Sequence, residues 1–244
     1  RALSDEKPKY INSWEKNFFK KRHVLYNLPC LNNIKSREDN VYIVEGYTDV
    51  IAMESQGFKA IAPLGTSLTI EQFKLVWRFV NEPTLLMDGD IAGMNASSRA
   101  LDLVMSELQG ENSLNFIFLK EGKDPDDIIN SKSQTYSFES LLNNKQSLIE
   151  ALFIFYGNEE VLNSPERIIN FKNKIFKKIN SINDRDIRQL YRSFVVNRIS
   201  EISKTQINKF GSISNTNKKD IYFTNLIKNK KTENFIIRRE KSIL

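Results

Sequence analysis

The sequence predicts an α/β domain built on a parallel four-stranded sheet with flanking helices, followed by an all-α helical subdomain. Two observations support this. Between residues 41 and 131, short apolar runs alternate with segments of helical spacing, an order typical of parallel strands joined by crossover helices. From residue 132 to 208 the helical spacing continues without a further strand pattern. The strands are nearly continuous apolar runs, which indicates a sheet buried on both faces.

Four apolar runs predict the strands, in the order VYIVEG (41–46), KAIAPLG (59–65), TLLM (84–87) and LNFIFLKEG (114–122). After the first strand, YTDVIAMESQG predicts a helix that ends at Gly57, a residue suited to a C-cap. After the second, Thr69 to Gln72 has the form of a capping box and opens the next helix. After the third, small and apolar residues recur at helical spacing from Ile91 to Leu108. DPDDIIN follows the fourth strand.

Composition changes along the chain predict the domain organisation. Residues 1–40 form a polar, basic flank, and residues 41–131 form the α/β domain. Residues 132–208 form the helical subdomain, in which Ser164-Pro165-Glu166 is a good helix start. Residues 209–231 are a linker rich in serine, asparagine and lysine, and residues 232–244 begin a further domain. The sequence lacks an initial methionine, so we expect it to be a fragment of a longer protein.

Composition limits the function classes. The 244 residues are 40% hydrophobic and 27% charged, and the net charge of +6 is only weak support for a nucleic-acid partner. Cys30 and His23 are the only residues of their types, which excludes a structural zinc site and a disulfide framework in this chain. A single cysteine fits a reducing, cytoplasmic setting. No apolar run approaches the roughly 18 residues that span a bilayer, so we expect no membrane association.

Acidic residues follow three strands of the predicted sheet. The carboxyl ends of parallel strands lie on one rim of a sheet, so these side chains should converge. The acids are Glu45, Asp49, Asp88, Asp90, Asp124 and Asp126. Carboxylates in close proximity repel one another and stay ionised only beside cations. Oxygen ligands favour hard cations, so the pattern predicts a Mg²⁺ site that also accepts Mn²⁺.

Each acidic motif also has a simpler interpretation. A single Asp-Gly-Asp is most often a turn, and Asp-Pro-Asp-Asp before isoleucine is most often a helix N-terminus, where acids complement the helix dipole. Asp90 is placed to cap the helix that begins at Ile91, so a structural and a metal-binding role compete there. The shared metal site is favoured because the three motifs occupy matching places in successive β–α units.

Four motifs in order, EGYTDVIAM, PLGTSLT, LLMDGDIAGMNAS and KEGKDPDDII, resemble the Toprim domain of bacterial DnaG-type DNA primases. The flank, with PKYINS, FFKKR and LYNL, resembles the stretch that precedes Toprim in that family, so the resemblance covers residues 1 to about 208. It implies a DNA-directed RNA polymerase that makes short RNA primers on single-stranded DNA from ribonucleoside triphosphates. It also implies a cytoplasmic place at the replication fork and a replicative helicase as partner. TENFIIRREKSIL resembles the truncated start of the helicase-binding domain.

The resemblance assigns roles motif by motif. It implies that Glu45 is a metal ligand or general acid–base, that Asp88 and Asp90 bind metal, and that Asp49 belongs to the catalytic acids. Asp124 and Asp126 match further acids of the metal cluster. The residues that match basic positions facing nucleotide or template are Arg1, Lys9, Lys20, Lys21 and Arg22.

The sequence departs from the family pattern at two places. Trp14 replaces the usual proline of the PKYINS motif, and Ile91 replaces an arginine after the paired acids. The family's N-terminal zinc module and the basic N-terminal half of its catalytic core have no counterpart here, so we expect the isolated fragment to be weak or inactive.

Other readings stay open from the sequence. One alternative is another Toprim enzyme, such as a nuclease, a topoisomerase or a phage-type primase. A topoisomerase usually carries a third acid where this chain has Ala92. A second alternative is a non-catalytic module that binds metal or nucleotide. Lysines and arginines of the helical subdomain form either a template-binding surface or an ordinary solvated face.

Overall fold

The structure, a computed structural model, describes residues 19–65, 67–120, 122–130, 141–157 and 164–211. Five strands form one sheet in the order β1-β3-β2-β4-β5. Their bounds are β1 Leu25–Tyr26, β2 Tyr42–Ile43, β3 Ala60–Pro63, β4 Thr84–Met87 and β5 Asn115–Phe118. The helices are α1 Tyr47–Ser55, α2 Ile70–Val76, α3 Ile91–Ser106, α4 Pro125–Asn130, α5 Leu148–Tyr156, α6 Pro165–Ile179 and α7 Arg185–Gly211. Two 3₁₀ helices cover Lys21–His23 and Leu28–Asn33. The predicted α/β fold class with a helical extension is confirmed.

Strands β2 to β5 are parallel, as the sequence predicts. Tyr42 of β2 lies opposite Ala60 of β3 and opposite Thr84 of β4, so β2 is central among the three. Strand β5 continues the sheet beyond β4, with Leu85 opposite Phe116. The carboxyl ends of β2 and β4, which precede Glu45 and Asp88, therefore lie side by side on one rim.

The sheet differs from the prediction in having a fifth, antiparallel strand. Leu25 and Tyr26 pair with Pro63 and Ala62, so part of the predicted flank belongs to the sheet. Two residues are too few to produce a periodic signal in the sequence. The pairing covers the edge of β3, which would otherwise present unpaired backbone groups to solvent.

Both faces of the sheet are buried, which explains the continuous apolar strands. Alternate strand residues such as Ile43, Ile61 and Leu85 pack toward one side, in a core shared with α2, α3 and the helical subdomain. The residues between them, such as Val44 and Leu86, pack toward the other side, under α1 and α4. No helix within the described part of the chain is long and apolar enough to cross a membrane.

The helical subdomain begins differently from the prediction. The helical spacing predicted from residue 132 to 208 is broken within the described residues at Gln146, which forms an antiparallel bridge with Phe116 of β5. A new helix, α5, then starts at Leu148. The Ser147 side chain accepts from the Glu150 backbone N–H, and the Glu150 carboxylate accepts from the Ser147 backbone N–H. Residues 131–140 and 212–244 lie outside the described residues, as do most of the predicted linker and the C-terminal segment.

A small polar cluster connects α3 to the helical subdomain. Lys178 Nζ of α6 lies 2.8 Å from both carboxylate oxygens of Asp102 on α3. The Tyr156 hydroxyl of α5 donates to Asp102 Oδ1 at 2.7 Å, and the Lys178 ammonium lies 4.9 Å from the centre of the Tyr156 ring. One carboxylate therefore joins three helices.

We expect Lys178→Met to destabilise the protein because it leaves Asp102 without its cation. A double-mutant cycle with Asp102→Asn should give a coupling free energy of about 0.5–1 kcal/mol, since both side chains are about one-third exposed. Lys177→Met, on the exposed side of the same helix, is the matched control and should be close to neutral. Urea unfolding provides the measurement, and a coupling of zero would show that the cluster does not stabilise the helix contacts.

Candidate active site

A cleft of about 900 Å³ opens at the rim where β2 and β4 end. Its walls include Glu45, Asp49, Asp88 and Asp124, which come from three separate β–α connections. Asp90 and Asp126 do not line the cleft, but their charges act on acids that do. The structure therefore brings the sequence-predicted acids together, as the parallel sheet requires.

Asp88 is the centre of this acidic group. The pKa of Asp88 is raised to about 7, first by burial and then, in decreasing order, by the charges of Glu45, Asp49, Asp124 and Asp90. Its Oδ1 is buried and accepts no hydrogen bond from the described residues. A buried carboxylate oxygen without a donor is costly unless a cation compensates it.

Asp49, whose charge acts on Asp88, is only 5% exposed. The pKa of Asp49 is raised to about 6; burial is the largest cause, and the hydrogen bond from the Gly46 backbone partly opposes it. The charges of Asp124 and Asp126 raise the pKa, and a hydrogen bond from the Asp126 backbone lowers it. Asp49 Oδ2 accepts from the Gly46 N–H at 3.0 Å, so this acid also fixes the start of α1 beside Glu45.

Three other acids use one oxygen to hold backbone or a neighbouring side chain. Asp90 Oδ1 accepts from the Gly93 N–H at 2.7 Å and caps α3, which shows the structural role predicted for it. Asp124 Oδ1 accepts from the Asp127 N–H at 2.6 Å at the start of α4. Asp126 Oδ1 accepts from the Asn130 amide at 2.6 Å. A metal-binding role for these three acids stays a prediction.

Glu45 lies at the exposed mouth of the cleft. Its pKa is raised by desolvation and by the charge of Asp90, and the nearby Arg99 guanidinium lowers it. Arg99 was missed by the sequence reasoning. The available signal was its spacing, because position 99 falls on the same side of the predicted helix as Ala92 and Ala96.

Two glycines allow the acidic loops to approach each other. A Cβ at Gly89 would lie 1.9 Å from the Lys120 carbonyl oxygen, and one at Gly93 would lie 2.1 Å from the Asp88 carbonyl oxygen. The Gly89 N–H donates to the Lys123 carbonyl at 2.8 Å, which connects the loop after β4 to the loop after β5. Asp88 and Asp124 are close because no side chain separates these backbones.

Lys20, Lys21 and Arg22, the predicted basic residues that the structure describes, do not line the cleft. Lys20 is exposed, and Lys21 holds the flank on α2 by accepting at its carbonyl from the Gln72 amide at 3.0 Å. Arg22 forms an ion pair with Glu71 on α2. Arg1 and Lys9 lie outside the described residues. A contact of these five residues with nucleotide or template therefore stays a prediction.

The basic face of the helical subdomain is partly engaged within the protein. Lys178 binds Asp102, and Arg192 donates to Asn180 Oδ1 at 2.5 Å. Arg188 donates to the Ile182 carbonyl at 3.0 Å. These contacts favour a structural role for much of this face over template contact.

The acidic group fits a divalent cation by its chemistry. No three His, Cys, Asp or Glu side chains in the described ranges are already arranged as a closed metal site. The unpartnered, buried Asp88 Oδ1 and the mutual repulsion around it are nevertheless what a bound cation would relieve. The donors are all carboxylate oxygens, which select a hard cation such as Mg²⁺ or Mn²⁺.

Comparisons with known proteins agree with this geometry. Residues 39–117 match the Toprim domain family. The chain is 32% identical over 200 residues to the DNA primase of Rickettsia prowazekii (strain Madrid E), and the match covers 82% of this chain and 34% of that protein. The chain thus spans about a third of the length of this relative.

Solved structures of DNA primases also resemble this chain. The structure of the DnaG catalytic core superposes with a TM-score of 0.70 at 29% identity, covering 82% of this chain and 64% of the other. The DnaG primase catalytic domain bound to single-stranded DNA superposes with a TM-score of 0.69 at 30% identity, covering 81% and 64%.

The sheet order, the acidic rim and the sequence match define a Toprim-domain protein. The chain is a homologue of bacterial DNA primases and has the fold of part of the DnaG catalytic core. Members of this group use divalent metal ions.

Proposed function

We propose that this chain is the metal-binding part of a DNA primase, which makes short RNA primers on single-stranded DNA by Mg²⁺-dependent nucleotidyl transfer. The observation that carries the proposal is the half-buried Asp88 carboxylate, whose buried Oδ1 accepts no hydrogen bond from the described residues and whose pKa is raised by the charges of four other acids. A structural acid would have a hydrogen-bond donor or a cationic partner. The relative solved with single-stranded DNA supports the choice of template.

In the proposed reaction the primer 3′-oxygen bonds to the α-phosphorus of a ribonucleoside triphosphate, and the bond to the bridging oxygen breaks to release pyrophosphate. A bound divalent cation would supply charge neutralisation at the phosphate and a lower pKa for the attacking hydroxyl. Asp88, Glu45 and Asp90 would hold that cation, and Asp124 and Asp126 would help to hold a second. Mg²⁺ is the proposed ion, with Mn²⁺ as a substitute.

The residues of this chain have separate tasks in the proposal. Asp49 keeps the Gly46 backbone in place, so that Glu45 faces the cleft. Asp90 caps α3 through one oxygen and leaves the other for the cation. Glu45, at the exposed mouth, is placed to take the proton of the 3′-hydroxyl at its carboxylate. Gly89 keeps the acidic loops in contact.

The partners of the full-length protein follow from the resemblance. Ribonucleoside triphosphates would be the substrates and an RNA primer the product. The replicative helicase would bind through the C-terminal region. The single free cysteine, Cys30, is consistent with the proposed cytoplasmic location at the replication fork.

Labelled ribonucleotide incorporation on single-stranded DNA tests the function. The full-length protein should make short RNA in Mg²⁺ or Mn²⁺, and the 244-residue chain alone should make little or none. Incubation in Mn²⁺ without ribonucleotides is the control for a nuclease. Cleavage of the DNA there, without RNA synthesis in the complete reaction, would contradict the primase proposal.

Metal binding should stabilise this chain in a pH-dependent way. A cation binds the ionised acids, and the pKa values of Asp88 and Asp49 lie near 7 and 6. At acidic pH the cation must therefore displace protons from Asp88 and Asp49, whereas at a pH at which both acids are ionised it displaces none. We expect Mg²⁺ or Mn²⁺ to raise the melting temperature strongly at about pH 8 and only slightly at about pH 5. An equal shift at both pH values would argue against binding at these acids.

A further inference from the structure

Arg99 is the single cationic side chain that the described residues contribute to the cleft wall. It belongs to α3, whose residues Ala92, Ala96, Arg99 and Leu103 all line the cleft. Positions separated by three or four residues form one stripe along a helix, so Arg99 continues the side of α3 that faces the acids. Along the helix axis, Arg99 lies about 10 Å beyond Ala92.

The space between Arg99 and the acids is open. Ala92 and Ala96, which line the cleft between them, have only methyl side chains and so leave room for a ligand. Side chains on a helix lean toward its N-terminus, which for α3 is the end capped by Asp90. Arg99 lines the same cleft as Glu45, and its guanidinium lowers the pKa of that carboxyl. The guanidinium therefore faces the volume in front of the acidic group.

No hydrogen bond or ion pair to another described residue holds Arg99 in place, and the residue is exposed. Arg37, by contrast, donates to Asn81 Oδ1 and to the Trp77 carbonyl, both at 2.6 Å. Asp102, the nearest acid on the same helix, is already bound to Lys178. Arg99 can therefore bind a ligand without breaking an internal contact.

We propose that Arg99 binds the β- and γ-phosphates of the incoming ribonucleoside triphosphate. This inference rests on the proposed function, which places the α-phosphate at the acidic rim. The phosphate tail would then extend from the acidic rim over Ala92 and Ala96 toward Arg99. A guanidinium presents paired N–H donors that match phosphate oxygens and stays charged at all physiological pH values. There it would also offset the charge that develops on the departing pyrophosphate.

The test uses the full-length protein with Arg99→Gln, Arg99→Lys and a control, Arg78→Gln. Arg78 is also exposed but lies outside the cleft wall. In Mg²⁺, competition against a fluorescent ATP gives the affinities for ATP and AMP. For Arg99→Gln we expect about a tenfold loss of ATP affinity, because a charge-assisted contact is lost, and an unchanged AMP affinity. The KM for ribonucleotides should rise by a similar factor. The ATP affinity and KM of Arg99→Lys should lie between those of wild type and Arg99→Gln, and those of Arg78→Gln should match wild type.

Three results for Arg99→Gln would overturn the inference. The first is primer synthesis with the wild-type ATP affinity and ribonucleotide KM. The second is an equal loss of ATP and AMP affinity, and the third is a rise in the KM for template DNA alone. A wild-type protein that makes no primers at all would instead refute the proposed function, whatever the Arg99 variants do to nucleotide binding. Unchanged melting temperatures of the three variants would exclude a folding defect as the cause.

Discussion

Asp88→Asn should abolish primer synthesis by the full-length protein while making the metal-free chain more stable. Asn keeps the size of Asp88 but cannot supply the negative charge that the proposed cation requires. A metal contribution of several kcal/mol to the transition state corresponds to a rate loss on the order of 10³-fold or more. The assay is ribonucleotide incorporation on single-stranded DNA in Mg²⁺.

The stability of the same variant should change in the opposite direction. In the metal-free protein the pKa of Asp88 is about 7, against an ordinary value of 3.8. Ionising a group whose folded pKa is raised disfavours the folded state, so its penalty is absent below pH 3.8, grows as pH rises and is complete above about 7. Asn removes the penalty. We therefore expect a higher melting temperature than wild type at about pH 8, and no gain at about pH 4.

Asp127→Asn is the matched control for both measurements. Asp127 lies in the neighbouring acidic motif, but it is exposed and its carboxylate is 3.9 Å from Lys123 at the surface. Its replacement should leave synthesis and melting temperature close to wild type. An Asp88→Asn protein that retained full primer synthesis would refute the proposed metal role. An Asp88→Asn protein that was less stable than wild type at high pH would show that the ionised Asp88 carboxylate has a favourable partner in the folded protein.

Gly89→Ala should produce the largest loss of stability among the loop substitutions. The new methyl group would lie 1.9 Å from the Lys120 carbonyl oxygen and 2.6 Å from its carbon. Both are backbone atoms, so a change of side-chain rotamer cannot relieve the clash. The loops after β4 and β5 would have to separate, which we expect to cost about 3 kcal/mol or more. In a protein of this size that lowers the melting temperature by about 10 °C.

Gly110→Ala is the control for adding a methyl group to a glycine. Gly110 has φ +57, and a Cβ there would meet no atom within 4 Å. Only the left-handed backbone opposes the substitution, at a cost of about 1 kcal/mol. Chemical unfolding should therefore separate the two variants clearly. Equal, small losses at both positions would show that the acidic loops can separate without damage.

The sequence alone determined which acids meet. VYIV and TLLM are too apolar to be exposed, and the helical segments between strands require crossovers, so the strands had to be parallel. Once they are parallel, Glu45 and Asp88 follow strand ends on the same rim of the sheet. Local capping was equally predictable, because the Thr69–Gln72 box and the Asp90 cap depend on residues only three positions apart.

Only the tertiary structure decided how the acids share their tasks. Burial and the summed charges of distant loops set the raised pKa of Asp88, and no local pattern contains those distances. The pairing of Leu25 and Tyr26 with β3 depends on an open sheet edge, far away in sequence. Arg99 became visible as a cleft residue only when β4 and α3 were placed against the acidic loops. The sequence encodes hydrogen bonds and periodicity over a few residues, whereas desolvation and electrostatic coupling depend on which segments the fold brings together.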